Sequence, residues 1–325
     1  MHLRHPTTAA IAAMVTISCT VQDAATRDST VRRQGASASA ESIAEASGWR
    51  AGSWTAPSLD SLADDPIGRS IRRGHALFAH TSDSLPRFVG AKLSCRSCHL
   101  DDGRRPDAIP LFGIHGIYPR YLARADAVVP MEDRVNYCIT RSLAGWRLPN
   151  ESTEMQDLIA YMAFLSRGVP VGVTPLPIRM VALSTTEGDS ARGAAVYRES
   201  CARCHGMDGE GTVVAPPTWG EKSFSIGASM AQPARAAAFI RRNMPFDLPG
   251  TLTDQQSYDV AVYITSMPRP DLPGKENDWP RGDAPADVPY ATKGREPKRT
   301  PTLIPRQNPE RALVPIPRTA NGTGG

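Results

Sequence analysis

Cys95-Arg96-Ser97-Cys98-His99 reads C-x-x-C-H, and Cys201-Ala202-Arg203-Cys204-His205 repeats it. This pentamer is the attachment signature of a c-type haem. The two thiols add to the vinyl groups, and the histidine gives its imidazole to one face of the iron. The competing reading is a pair of C-x-x-C redox or zinc motifs. Zinc sites gather four ligands from two such pairs, and thioredoxin-like motifs sit beside a βαβ pattern. No βαβ pattern is present, and each pair runs straight into His. The motifs predict two covalently attached c-type haems, bound through Cys95, Cys98, His99, Cys201, Cys204 and His205.

The same order of elements surrounds both motifs. Upstream lie Ile71-Arg72-Arg73-Gly74-His75-Ala76-Leu77-Phe78 and Ala191-Arg192-Gly193-Ala194-Ala195-Val196-Tyr197. Each gives Arg-Gly, two small or polar residues, then an aliphatic and an aromatic that can pack on a haem edge. Downstream, Met155, Leu158, Ile159 and Met162 recur at helical spacing over residues 153–166. Val260, Tyr263, Ile264 and Met267 do so over residues 253–266. Thr153 with Gln156 and Thr253 with Gln256 read as capping boxes, and Gly168 and Pro268 as stops. Helix, haem motif, ligand-bearing loop and closing helix make a small all-α cytochrome c domain. The chain therefore reads as two tandem cytochrome c domains, 59–168 and 189–270, with long irregular connections. Residues 169–188, with Pro170, Pro175 and Pro177, form the linker. Residues 271–325 form a Pro-rich tail, in which Trp279 and Tyr290 pack on the domains and disorder is expected from about Ala291.

The N-terminus reads as an export signal over residues 1–18. A short basic start (Met1 to Pro6) precedes an apolar run, Thr8 to Ser18, too short to span a bilayer. Cys19 follows directly, which points to a lipoprotein cleavage site and a lipid anchor; ordinary signal cleavage is the alternative. Residues 19–58 read as a flexible tether, because Ala, Ser, Thr and charge bury too little to fold. No other stretch is a candidate membrane span, and export agrees with haem attachment outside the bacterial cytoplasm. A net charge of +4 over 325 residues gives no sign of nucleic-acid binding.

The distal ligands decide the chemistry, since a haem with protein ligands on both faces shuttles electrons and an open face binds substrate. In the second domain Met207 is too close to His205, and Met267 belongs to the helix face. Met244 lies in the loop before the closing helix, 39 residues after His205. A packing methionine is the alternative. The same offset of 39 from His99 lands on Cys138. Two other readings stay open: a free thiol at Cys138 with Met131 as ligand, or a Cys19–Cys138 disulfide. As a ligand, the Cys138 thiolate stabilises ferric iron and lowers the potential, whereas Met raises it. Electrons then run downhill from the first haem to the second, with sulfur chemistry at the first. Arg104, Arg105, Arg120, Arg124, Arg134, Arg141 and Ser142 flank Cys138. Arginine forks suit an oxyanion, although part of this set reads equally well as a solvated basic face.

Larger stretches carry a family resemblance. They are Ser94-Cys95-Arg96-Ser97-Cys98-His99-Leu100-Asp101, Gly113, Tyr118-Pro119-Arg120-Tyr121, Arg134-Val135-Asn136-Tyr137-Cys138, Arg141-Ser142 and Ala160-Tyr161-Met162. Asn243-Met244-Pro245, Tyr258-Asp259-Val260 and Lys275-Glu276-Asn277-Asp278-Trp279-Pro280 continue them. Together, from about Asp60 to Tyr290, the chain closely resembles the dihaem thiosulfate dehydrogenase (tetrathionate-forming) family. The resemblance implies a periplasmic enzyme that joins two thiosulfates into tetrathionate and releases two electrons, some members running better in reverse. It implies His99 and Cys138 as iron ligands of the catalytic haem, His205 and Met244 at the second. Arg124, Arg134 and Ser142 fall around the substrate, and Cys138 leaves the iron to form a sulfur adduct. The implied acceptor is a soluble cytochrome c or a high-potential iron–sulfur protein. One departure is clear: some members carry Lys directly before the distal Met and exchange ligands on reduction, whereas this chain has Asn243. Fixed His/Met ligation is expected here. The alternatives are a dihaem electron carrier without a substrate, or a cytochrome subunit of another sulfur-oxidising complex.

Overall fold

Helix α1, Pro66–Ala79, starts where Asp65 accepts a hydrogen bond from the Gly68 amide and Pro opens the first turn. Ile71, Gly74 and Phe78 fall on one face and are buried. In the computed structural model, which describes residues 54–173, 183–185 and 187–306, this face packs on the first closing helix. The signal segment, Cys19, most of the tether, Pro175, Pro177 and residues 307–325 lie outside the described residues.

The chain continues through a one-turn helix (Thr81–Ser84) and the first haem motif to a two-stranded antiparallel hairpin, β1 (Arg120–Leu122) with β2 (Ala127–Val129). Helix α2, Met131–Tyr137, then runs into a π-helical turn, Cys138–Ser142. Helix α3, Thr153–Leu165, closes the first half. Its N-cap is Ser152, which accepts from the Met155 amide; the expected Thr153–Gln156 box does not form, and Gln156 donates instead to the Asn150 carbonyl. The second half repeats the order with α4 (Ser190–Ser200), the second haem motif, α5 (Pro233–Asn243) and α6 (Asp254–Ser266). Here the capping box between Thr253 and Gln256 is present. The architecture is all-α, two cytochrome c units in tandem, with little strand.

Both helix crossings use one device. A Cβ on Gly74 would overlap the Asp157 carbonyl of α3, and a Cβ on Gly193 that of Asp259 in α6. Backbones therefore touch at the crossing, which only glycine allows. The arginine preceding each glycine then clamps the acid facing it. Arg73 donates through Nε and Nη2 to Asp157 at 2.7 and 2.8 Å, and Arg192 to Asp259 at 2.7 and 2.9 Å. Burial opposes the charge of Asp259, yet Arg192, the Asp189 amide and Gln255 hold its carboxyl below the ordinary aspartate value. Because Arg192 is largely solvent-exposed, Asp259→Ala is expected at the low end for a buried pair, about 2 kcal/mol of destabilisation in thermal unfolding. A depressed carboxyl contributes fully above its unfolded value of about 3.9 and loses that contribution as the pH falls through its lower folded value. The gap between wild type and variant therefore closes in strong acid.

The first core gathers Phe78, Phe88, Ile139, Leu158 and Phe164, and also takes Phe224, Ala228 and Ala231 from beyond the second haem motif. The second centres on Tyr197, Trp219, Val260 and Ile264. Trp279 and Tyr290 are buried in a third cluster with Ile226, Leu272 and Val288, as expected. Disorder from Ala291 does not describe residues up to Arg306. β3 (Arg269–Pro270) pairs in parallel with β4 (Leu303–Ile304), the Arg269 amide donating to Thr302 and the Asp271 amide to Ile304. Pro-rich composition was a poor guide because backbone pairing to β3 and the Arg306 side chain anchor this stretch.

Candidate haem and substrate site

Cys95, Cys98, His99, Arg134, Cys138 and Ser142 all line one cleft of the first half, whose remaining wall is apolar apart from Thr81 and Ser94. It encloses about 750 Å³ with its mouth included. Burial pushes the Cys95 and Cys98 thiols up to about 12, so both stand neutral. Thr81 ties the first of them down: its hydroxyl accepts from the Cys95 amide at 3.0 Å.

Each histidine is oriented by a backbone carbonyl. His99 Nδ1 meets Ile109 O at 2.6 Å, and His205 Nδ1 meets Pro216 O at 2.8 Å. Donation from Nδ1 fixes the tautomer and leaves Nε2 free to ligate iron. Ile109 reaches this position with φ of 54°, a left-handed conformation that is costly for a β-branched residue. Burial lowers the His205 pKa and favours the neutral ring a ligand needs.

Cys138 is placed by the change of helix type. The π turn begins at Cys138 itself, and such turns re-aim one side chain out of an α-helical path. Arg134, one helical turn earlier, donates from Nη1 to Cys138 Sγ at 2.8 Å. His99 lines the same cleft as the Cys138 sulfur. Burial works against a thiolate here, but Arg134 and His99 outweigh it and hold the Cys138 thiol at about 6. The carbonyl side of the turn is held by Arg306, which donates to Thr140 O and Gly145 O at 2.6 Å and to Asp271 O at 2.7 Å.

The remaining arginines divide. Arg124 stacks 4.3 Å over Trp279 and donates to Gly227 O at 2.9 Å, and it is not among the cleft-lining residues. Arg141 is taken up by a two-pronged pair with Asp278, both bonds 2.7 Å, while Tyr290 donates to the same carboxylate. Arg104 pairs with Asp101. Arg134 and Ser142 are thus the anion-binding candidates brought to Cys138, and Arg124 stands in the adjoining Arg141–Asp278 cluster. Among the described residues, no group of three or more His, Cys, Asp or Glu gathers as a metal cage would. A cleft bearing two thiols, an oriented imidazole and a facing sulfur fits a covalently attached haem.

In the second half, Met244 caps α5 and packs with both the second core and a small cluster of Leu100, Ala108 and Phe239. Asn243 is completely buried and donates to Asp107 O at 2.9 Å and Phe239 O at 3.0 Å.

A cytochrome c family model described as SoxA/TsdA matches residues 87–171, and a general cytochrome c model matches residues 190–268. The chain is 38% identical to a thiosulfate dehydrogenase of Psychrobacter arcticus over 69% of its own length and 70% of the relative's. This decides the family. The chain belongs to the thiosulfate dehydrogenase family. A second relative, from Allochromatium vinosum, is 38% identical over 66% of this chain and 84% of its own. A solved thiosulfate dehydrogenase (TsdBA) from Marichromatium purpuratum superposes with a TM-score of 0.67 at 34% identity, covering 76% of this chain. This chain spans 56% of that longer one. As a member of the family it carries two c-type haems, one in each cytochrome c unit.

Sequence reasoning missed the two carbonyls and Arg306. The carbonyls had a faint signal, since Ile109 and Pro216 each directly precede a proline soon after their histidine.

Proposed function

We propose that this protein is a periplasmic thiosulfate dehydrogenase that forms tetrathionate at Cys138. The observation that carries the reading is the Arg134–Cys138 contact at 2.8 Å, facing His99 inside the first cleft. His99 and Cys138 would ligate the first iron, His205 and Met244 the second. Held by those residues, two haems would supply a one-electron acceptor each, matching the two electrons of the reaction.

The residues then have separable tasks. Arg134 stabilises the Cys138 thiolate and, with Ser142, offers donors to a sulfonate oxygen. Arg124 adds positive potential from the neighbouring cluster. Cys138 sulfur bonds to the outer sulfur of one thiosulfate as two electrons are withdrawn, leaving a Cys–S–S–SO₃⁻ adduct. The outer sulfur of a second thiosulfate attacks that adduct; the new S–S bond completes tetrathionate, and Cys138 departs as thiolate. Run backwards, the same steps reduce tetrathionate. A soluble cytochrome c or a high-potential iron–sulfur protein takes the electrons onward. Asn243 spends its side-chain NH₂ on two carbonyls and has no amine to offer the iron, which supports fixed His205/Met244 ligation without a ligand exchange. A lipid anchor at Cys19 would hold the enzyme at a membrane. Among the described residues no helix is long and apolar enough to cross one.

The test is thiosulfate-dependent reduction of an artificial acceptor by the haem-loaded protein, with tetrathionate quantified. One tetrathionate per two electrons is expected. No reaction with thiosulfate or tetrathionate would leave a dihaem electron carrier. The Arg306 brace adds a second expectation. Arg306→Ala frees two carbonyls around the Cys138 turn and should lower kcat/KM roughly tenfold or more through misplacement, with both haems retained on a denaturing gel.

A further inference from the structure

Arg269 is the largest fully buried side chain of the described residues, with 0% of it exposed. Its guanidinium lies 4.4 Å over the Phe224 ring, and Nη2 donates to Ile264 O at 2.6 Å. Nε and Nη1 have no partner among the described residues. Among the described residues no carboxylate forms an ion pair with it. Three other arginines near the site are compensated: Arg134 by Cys138, Arg141 by Asp278, Arg306 by three carbonyls. A buried guanidinium with two idle donors costs several kcal/mol unless an anion faces it. Burial alone pushes its pKa down to about 9.

Among the described residues no group supplies that anion, and a c-type haem brings two propionate carboxylates into the protein. Arg269 follows α6 directly and is fastened to that helix's last turn. Ile264, whose carbonyl it holds, packs in the second core with Cys201, Trp219 and Met244. We propose that Arg269 is the buried counter-ion of the second haem, its free Nε and Nη1 donating to a propionate. The inference rests on the two-haem content of the family and not on the thiosulfate reaction, so the two can fail separately. It also explains why β4 returns to pair beside Arg269: the strand seals a charged side chain from water.

The experiment is spectroelectrochemistry of the haem-loaded full chain, wild type beside Arg269→Met and Arg269→Lys. Removing a buried positive charge favours ferric iron. In Arg269→Met the second haem is expected to lose potential while the first keeps its own. Electron exchange between the haems should shift at least tenfold toward the first, equal to about 59 mV for one electron. Arg269→Lys keeps the charge and should stay near wild type. Unchanged potentials in a folded Met variant would overturn the proposal, and a shift confined to the first haem would overturn its assignment to the second. If the Met variant fails to load haem, resonance Raman of wild type and the Lys variant decides. The propionate bending mode of the second haem must differ between them, and identical modes would overturn the proposal.

Discussion

Cys138→Ala is expected to abolish thiosulfate turnover, by about a thousandfold or more, while both haems stay attached. The size follows from losing a covalent nucleophile, for which no neighbouring group substitutes. Cys201 and Cys204 lie in the other motif, and burial keeps Cys95 and Cys98 neutral apart from their use in attachment. Attachment should survive, because Cys138 stands outside both C-x-x-C-H motifs and its turn is braced from elsewhere by Arg306. Cys138→Met is the sharper companion. It restores a sulfur ligand of the kind that serves an electron-transfer haem but cannot form the S–S bond. Electron transfer should persist in stopped-flow reduction by dithionite, and thiosulfate oxidation should not. Equal thiosulfate activity in wild type and both variants would contradict the role given to Cys138.

Gly74→Val should be the most damaging change outside the chemistry. The added Cβ would overlap the Asp157 carbonyl, a backbone atom in mid-helix that cannot move aside alone. Separating α1 from α3 would break the Arg73–Asp157 clamp and open the apolar wall formed by Phe78 and Leu158. Overpacking alone costs about 1–3 kcal/mol, and loss of the Arg73–Asp157 pair, in which the carboxylate is buried and the arginine half-exposed, adds to it. We expect 3 kcal/mol or more in total, seen as failure to accumulate haem-loaded protein at growth temperature. Gly193→Val should do the same through the Asp259 carbonyl. Ala at either position is the milder control, gaining helix propensity but keeping the overlap.

Much of this was legible in the chain because it is written in local patterns. The haem motifs, the Arg-Gly pairs and the apolar spacing of α3 and α6 are each confined to a few residues. What was not legible depends on partners distant in sequence. Arg73 gave no hint that Asp157 faces it, 84 residues away, nor Arg141 that Asp278 would claim it, 137 residues away. Cys138 read as a loop residue because Ile139 and Thr140 are β-branched and weaken a helical pattern, yet the backbone there is a π turn. By resemblance Arg124 and Arg134 fell together around the substrate, with part of the arginine set left as a solvated face, whereas the fold sends Arg134 to the sulfur and Arg124 to Trp279. Burial separates those roles, and burial is a property of the folded chain. The tail misled in the opposite direction. Its proline content hid two backbone hydrogen bonds that pair it with β3 and one arginine that holds it to the Cys138 turn.

The most direct measurement of the central claim is the intact mass of the Cys138 peptide. The haem-loaded oxidised protein would be incubated with thiosulfate, quenched in acid and digested without reductant. This peptide is expected to gain the mass of one thiosulfate residue, to lose it on treatment with reductant, and never to acquire it in Cys138→Ala. An unmodified Cys138 peptide in protein that is turning over thiosulfate would contradict it.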